Sequence, residues 1–370
     1  MASKDVLGII FSNANDEVVP ELTALRTMGS VPFAGRYRLI DFELSGMVNA
    51  GIPQVGILTN SNYRSLMDHL GNGKPWDLAR KRDGLTILPP FNLSDSGVFK
   101  GRMDALYGSI GYISDSGKDY VLITDCNVIT DIDYEAFIDY HIEKKAEITI
   151  AYANGFSPKI KDATELVLDG DGRVIDDRLN DNYLNSVNCS LKMMVINRNL
   201  LERILHEANA KRITGFEEFF ARNTGNIRIY GYEHKGYVRI IDGIKSYYEA
   251  NLDLLNPDVR RALFPAGKPV YTKISDRVPA KYGINSSVKN SLIADGCKID
   301  GEVENCILFR GVTVSKGAKV RNSIIMQNTV IGENADVEFV IADKDVQVGV
   351  RKKLCGAENY PVYIGKGIII

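Results

Sequence analysis

The residue types that most often do chemistry are few in this chain and widely scattered. Its four histidines, His69, His141, His206 and His234, lie far apart in sequence. Its five cysteines, Cys126, Cys189, Cys297, Cys306 and Cys355, include no C-x-x-C pair. A structural zinc needs closely spaced thiolate or imidazole ligands, and a disulfide framework needs an even, patterned set, so neither has support. The cationic runs Arg80-Lys81-Arg82 and Arg351-Lys352-Lys353 are short enough to be solvated surface. With 45 basic against 47 acidic side chains, the net charge is −2. A nucleic-acid binder draws its affinity from surplus cations that displace counterions, and this chain has no such surplus. Any chemistry must come from side chains that loops bring together.

The elements that position those loops can be read from periodicity. At 370 residues, with 45% apolar and 25% charged side chains, the chain has room for two to three globular domains. Val6–Phe11, Gln54–Thr59, Tyr120–Thr124 and Ile148–Tyr152 read as strands rich in Val, Ile and Leu. Asp41–Ala50, Arg102–Ile113 and Tyr134–Lys145 read as helices between them. That alternation predicts a Rossmann-like, mostly parallel sheet covered on both faces. Ligands of such sheets sit at the carboxyl ends of the strands, which points to the loops after Phe11 and after Thr124. No apolar stretch approaches the roughly 18 residues that span a bilayer. The only apolar run near the start, Val6–Phe11, follows Asp5 and does not read as a signal peptide, so a cytoplasmic location with no membrane partner is expected.

Beyond about residue 265 the period changes to six. Ile293-Ala-Asp-Gly296-Cys297-Lys-Ile299 recurs as Val314–Val320 and as Ile331–Val337, with aliphatics six apart and a turn former between them. A second phrase interleaves: Val288-Lys-Asn290, Val303-Glu-Asn305 and Val320-Arg-Asn322, each followed by a small residue and aliphatics. Inward aliphatics and turn-forming corners at this period predict a parallel β-helix. Pro257, Pro265, Pro269 and Pro279 cluster before it. The expected organisation is an α/β domain over 1–260, a linker over 261–283 and a β-helix over 284–370. β-Helix acyltransferases use a histidine on the repeats, and no histidine follows His234, which argues against acyl transfer.

Val31-Pro-Phe-Ala-Gly-Arg-Tyr-Arg38-Leu-Ile-Asp-Phe42 resembles the sugar-nucleotide pyrophosphorylases, and among them the glucose-1-phosphate adenylyltransferase (ADP-glucose pyrophosphorylase) family. His69–Leu78, Leu88-Pro89-Pro90, Gly101-Arg-Met-Asp104-Ala105 and Ser246–Leu255 follow in the family's order. The resemblance spans nearly the whole chain and implies a nucleotidyltransferase domain followed by a left-handed parallel β-helix. It also implies a chemistry: a glycine-rich loop cradles a triphosphate, an Arg and a Lys neutralise it, and two Asp carboxylates hold Mg²⁺ during in-line displacement of pyrophosphate.

The chain departs from the family at those functional positions. The glycine-rich loop aligns with Ser12-Asn-Ala-Asn-Asp16-Glu17-Val18, which has no glycine, two added acids, and Val18 at the arginine position. Met28 stands at the lysine, Asn127 at the first metal carboxylate and Ile240 at the second. The sugar-contacting Glu-Lys-Pro aligns with Leu179-Asn180-Asp181. One well-placed cation at a transferring phosphoryl group is worth on the order of 10³ to 10⁵ in rate. The resemblance is therefore closest to the non-catalytic, regulatory GlgD-type subunit. It implies no cofactor for this chain, with Mg²⁺ in a catalytic partner of a heterotetramer, in bacterial glycogen biosynthesis. Arg26 and Arg38 match positions near the family's sugar-phosphate effector site, and Asp104 and Ser190 match its nucleotide and sugar pocket. Two alternatives stay open. Asp125 and Asp242, each two residues from a lost carboxylate, could form a displaced metal site in a weak enzyme. The chain could also bind a sugar phosphate or nucleotide without turnover, alone or as a homo-oligomer. Trp76 is expected to be buried in the first domain.

Overall fold

The computed structural model describes residues 5–90, 101–155, 158–160, 163–179, 188–223 and 227–370. The first domain is built on a mixed, mostly parallel sheet. Its central strand, Val6–Phe11, pairs in parallel with Gln54–Leu58 on one side and Tyr120–Asp125 on the other. Gly84–Leu88 extends the first side in parallel. Beyond Tyr120–Asp125 lies the antiparallel strand Cys189–Asn197, then Ile148–Ala153, then Ile229–Glu233 parallel to it. The hairpin of Thr164–Leu168 and Val174–Leu179 meets the sheet at Cys189.

Successive side chains of a strand point to opposite faces. Val6 and Ile10 therefore join one core with the helices Leu39–Asn49 and Tyr134–Glu143. Leu7, Ile9 and Phe11 join another with the helices Arg102–Gly108 and Arg198–Lys211. After Val6–Phe11 the chain builds outward to Gly84–Leu88, then returns to the far side of its first strand as Tyr120–Asp125. That reversal opens a crevice at the carboxyl ends of these two strands.

The four strand expectations hold to within a residue at each end. The helix expected over Arg102–Ile113 is instead two, Arg102–Gly108 and Ile110–Asp115, broken at Ser109, whose backbone leaves helical geometry. Trp76 is buried and lies edge-on to His69.

The C-terminal half is a prism of three five-stranded parallel sheets, each strand two or three residues long. Ile299, Val314 and Ile331 stack in register, as do Val288, Val303 and Val320. Ile293 stacks on Leu308 on another face, so the six-residue phrase counts faces rather than whole coils. Residues in the left-handed region turn the corners: Asn290, Asn305 and Asn322 at one, and Gly296, Gly311 and Asn328 at another.

The boundary differs from the expected linker. Pro257 does not end a helix but starts one, Pro257–Leu263, at the N1 position where its missing N–H costs nothing. The Asn256 side chain caps that helix on the Asp258 N–H, 2.9 Å away. The first coil strand, Lys281–Tyr282, already pairs with Lys298–Ile299, so the β-helix begins before 284.

Candidate functional site

The crevice is walled by the loop after Phe11, which the first strand holds at the mouth of the sheet. Within it, Ser12 Oγ donates to the Leu58 carbonyl at 2.9 Å. Asn13 Oδ1 accepts from Thr59 Oγ1 and from the Asn60 N–H, both at 2.8 Å. Asn13 Nδ2 donates to Asp16 Oδ2 at 2.6 Å, and the Met28 N–H donates to Asp16 Oδ1 at 2.7 Å. The loop thus closes on its own acid. Burial pushes the Asp16 carboxyl up to about 7, chiefly because the ionised form loses water. Asn15 sits in the left-handed region with its Nδ2 buried and without a hydrogen-bond acceptor. Met28 is fully buried, and Val18 is half-buried beside the first core.

The second wall follows Tyr120–Asp125. Asp125 is fully buried, and the Arg102 guanidinium meets its carboxylate at 2.5 Å. The same guanidinium lies 5.7 Å from the centre of the Phe11 ring. Val128–Thr130 then pairs antiparallel with Val238–Ile240. This brings two sequence-predicted positions together, because Ile240 faces Val128 and the Ile241 N–H donates to the Asn127 carbonyl at 2.7 Å. Asn127 Oδ1 is buried without a hydrogen bond. Asp242 is occupied elsewhere: its Oδ2 accepts the Lys159 N–H at 2.8 Å.

Mg²⁺ is held by carboxylates and phosphate oxygens in octahedral geometry. Here Asp125 carries a guanidinium, position 127 is an amide and position 240, on the strand paired with Val128–Thr130, is an isoleucine. Among the described residues no group of three or more His, Cys, Asp or Glu side chains could hold a metal. The side chains present do not fit the ion.

Asp104 lies in the first turn of Arg102–Gly108. Ser190 is buried on Cys189–Asn197, its Oγ accepting the Lys192 N–H at 3.2 Å. Asn180 and Asp181 lie outside the described residues. Sequence reasoning passed over Lys192, a buried lysine with φ of 57° at the irregularity in that strand. It also passed over Arg102, because nothing in the spacing links residue 102 to residue 125.

Arg26 and Arg38 come together at the junction of the two halves. Arg26 is buried and grips Asp343 through two bonds, of 3.0 and 2.5 Å. Tyr363 Oη donates to the same carboxylate at 2.9 Å. Arg38 Nη1 donates to the carbonyl and the hydroxyl of Ser65, at 2.6 and 2.9 Å. Burial lowers Arg38 to about 10 despite nearby Asp41. Burial, then Arg38 and Arg26, lower the Lys344 amine to about 7. The β-helix therefore supplies an acid and a lysine that the first half's arginines did not announce.

Comparison with known proteins is consistent with this geometry. Residues 19–161 match the nucleotidyl transferase family, and residues 276–358 match the GlmU-like C-terminal hexapeptide family. The second match identifies the three-sheeted prism as a left-handed parallel β-helix. The chain is 37% identical to glycogen biosynthesis protein GlgD of Bacillus subtilis, over 100% of this chain and 98% of that protein. It is 38% identical to GlgD of Geobacillus stearothermophilus, over 85% and 82% respectively. It is 34% identical to glucose-1-phosphate adenylyltransferase of Fervidobacterium nodosum, over 91% and 82%. No helix among the described residues is long and apolar enough to cross a membrane.

Proposed function

We propose, because this chain belongs to the family of GlgD and the glucose-1-phosphate adenylyltransferases, that it is the non-catalytic, regulatory subunit of a hetero-oligomeric ADP-glucose pyrophosphorylase. It is a glycogen-biosynthesis protein related to that enzyme. In this reading the partner subunit carries out the conversion of ATP and glucose 1-phosphate to ADP-glucose and pyrophosphate, and the partner holds the Mg²⁺. The two subunits assemble as a heterotetramer in the cytoplasm.

The observation that carries the reading is the buried pair of Arg102 and Asp125. A guanidinium on the strand-end carboxylate neutralises the charge a divalent cation would seek, and it holds five donors where a metal site needs oxygen acceptors. Val18, Met28, Asn127 and Ile240 remove the remaining cations and carboxylates. The same pair weakens the case for a displaced metal site using Asp125 and Asp242.

The test is to purify the chain and its catalytic relative from one source and mix them. Co-elution on gel filtration is expected, with a change in the relative's maximal rate or effector response of at least about twofold. The chain alone should show no sustained Mg²⁺-dependent turnover. Independent elution with unchanged kinetics would reject the proposal.

A second reading adds to the first. The convergence of Arg26, Arg38 and Lys344 supports a sugar-phosphate effector at the junction of the two halves.

A further inference from the structure

We propose that a second cleft, between the helix Leu39–Asn49, the loop leading into the helix Tyr134–Glu143 and the segment 261–270, binds an uncharged saccharide of one or two rings. Its described lining shares no residue with the loop after the first strand, the pair of Arg102 and Asp125, or the cluster of Arg26, Arg38 and Lys344. The inference rests on the reading above only for the choice of glucose as the sugar.

Three observations carry it. First, the cleft encloses about 470 Å³ over a floor of Phe42, Tyr134 and Leu263, all buried. That volume lies within the roughly 300–1,000 Å³ of small-molecule sites. Gly46 lets the Tyr134 ring seat directly on the first helix, since a Cβ there would fall 2.7 Å from the ring. Second, the walls are fixed. Asn49 Nδ2 donates to the Pro269 carbonyl at 3.1 Å, and the Tyr271 N–H donates to Ser45 Oγ at 2.8 Å. Asp133 caps the other helix, accepting the Glu135 N–H at 3.0 Å.

Third, the charges of the lining are compensated. Lys268 meets Asp133 at 2.6 Å, Arg261 meets Asp258 at 2.5 Å, and His234 Nε2 lies 2.9 Å from Asp131. Neither an anion nor a cation finds a surplus of opposite charge. A wholly apolar ligand would strip water from these groups and return no hydrogen bond. A hydroxyl both donates and accepts, so it can serve the carboxylates and the cations alike. A pyranose ring combines an apolar C–H face, which matches the floor, with a rim of hydroxyls, which matches the lining.

The test titrates glucose and maltose into the full chain, with saturation-transfer NMR as the readout. Saturable binding of at least one is expected. Ala266→Trp places an indole at an exposed position of the lining and should weaken binding by at least about tenfold. Lys268→Met removes one donor and should weaken it by at least about threefold. Glucuronate and glucosamine, which add a charge of either sign, should bind more weakly than glucose. Absence of binding by both neutral sugars would overturn the proposal. So would parent-like affinity in the two variants at parent-like melting temperatures, or tighter binding of a charged sugar. If Ala266→Trp does not fold, Lys268→Met decides it, because that side chain is half-exposed. The measurement needs no partner subunit, so its failure is distinct from failure of the mixing experiment.

Discussion

Glu43 is a carboxylic acid sealed inside the first core, 2% exposed, with Tyr134 Oη donating to it at 2.5 Å. Burial pushes its carboxyl up to about 7, further than the tyrosine bond pulls it down. In the unfolded chain the same group titrates near 4.5. The folded state therefore keeps a proton that the unfolded state has already released, and stability falls as pH rises through that window. A rise from 4.5 to about 7 corresponds to roughly 3–4 kcal/mol at most for this one group. Asp16, raised from 3.8 to about 7, acts in the same direction. Glu43→Gln preserves an acceptor for the tyrosine and removes the titration. At pH 5 its melting temperature should match the parent's, and at pH 8 it should be a few degrees higher. Parallel melting curves for the two proteins across pH 5 to 8 would show that Glu43 does not titrate as its burial requires.

At the scale of elements, the β-helix is held by corners as much as by its aliphatic interior. Asn290 Nδ2 donates to Asn305 Oδ1 at 2.8 Å, and Asn305 Nδ2 donates to Asn322 Oδ1 at 3.2 Å. All three sit at positive φ, from 40° to 52°. Asn305→Gly loses the amide ladder but relaxes the backbone, which should cost about 1 kcal/mol. Asn305→Ala loses the ladder and also forces a Cβ into the left-handed region, so it should cost about 2–3 kcal/mol. Urea unfolding should rank the proteins Asn, Gly, Ala, and an alanine variant more stable than the glycine one would refute the corner account. This ladder was legible in sequence, because Asn290, Asn305 and Asn322 recur in matching phrases and the hexad period states which residues turn inward. The parallel strands were legible for the same reason, since buried β-branched runs leave a one-dimensional trace. The break at Ser109 left a weaker trace: Gly108 and Gly111 flank it, but a glycine inside a helical pattern does not by itself say where the helix divides. The site was half legible. Missing glycines, lysine and carboxylates can be counted along the chain, but what replaces them cannot. The bond from Asp16 to Met28 spans 12 residues that include two short helical turns, and the pair of Arg102 with Asp125 joins a helix to a strand with no shared period.

At the scale of the whole molecule, one hydrophobic core runs through both halves. Phe33, Phe42, Tyr247 and Leu263 of the first pack in the same cluster as Ile307, Phe309, Ile324 and Met326 of the second. Tyr248 Oη donates to the Asn322 carbonyl at 2.6 Å, which ties a helix of the first half to a corner of the β-helix. Arg26 and Asp343, 317 residues apart, add a buried ion pair to that seam. Its net worth against an apolar pair is small, because both ions lose water, but breaking it strands a charge and costs about 3–5 kcal/mol. The two ways of breaking it are not equivalent. Arg26→Ala leaves Asp343 with donors from Tyr363 Oη and the Lys344 N–H, at 2.9 and 2.7 Å. Asp343→Ala leaves Arg26 near Arg38 and Lys344 with no carboxylate to bind it, so it should be the more destabilising change. The same change turns the seam into a stronger anion site, because Arg26 is released to a phosphate. Adding a sugar bisphosphate should therefore raise the melting temperature of Asp343→Ala by several degrees more than that of the parent, through binding to the folded state alone. The Arg26→Ala, Asp343→Ala double variant should lose most of that extra rescue. Equal shifts in parent and Asp343→Ala would mean that the junction cations do not face an accessible anion site, and the effector reading would fall with them.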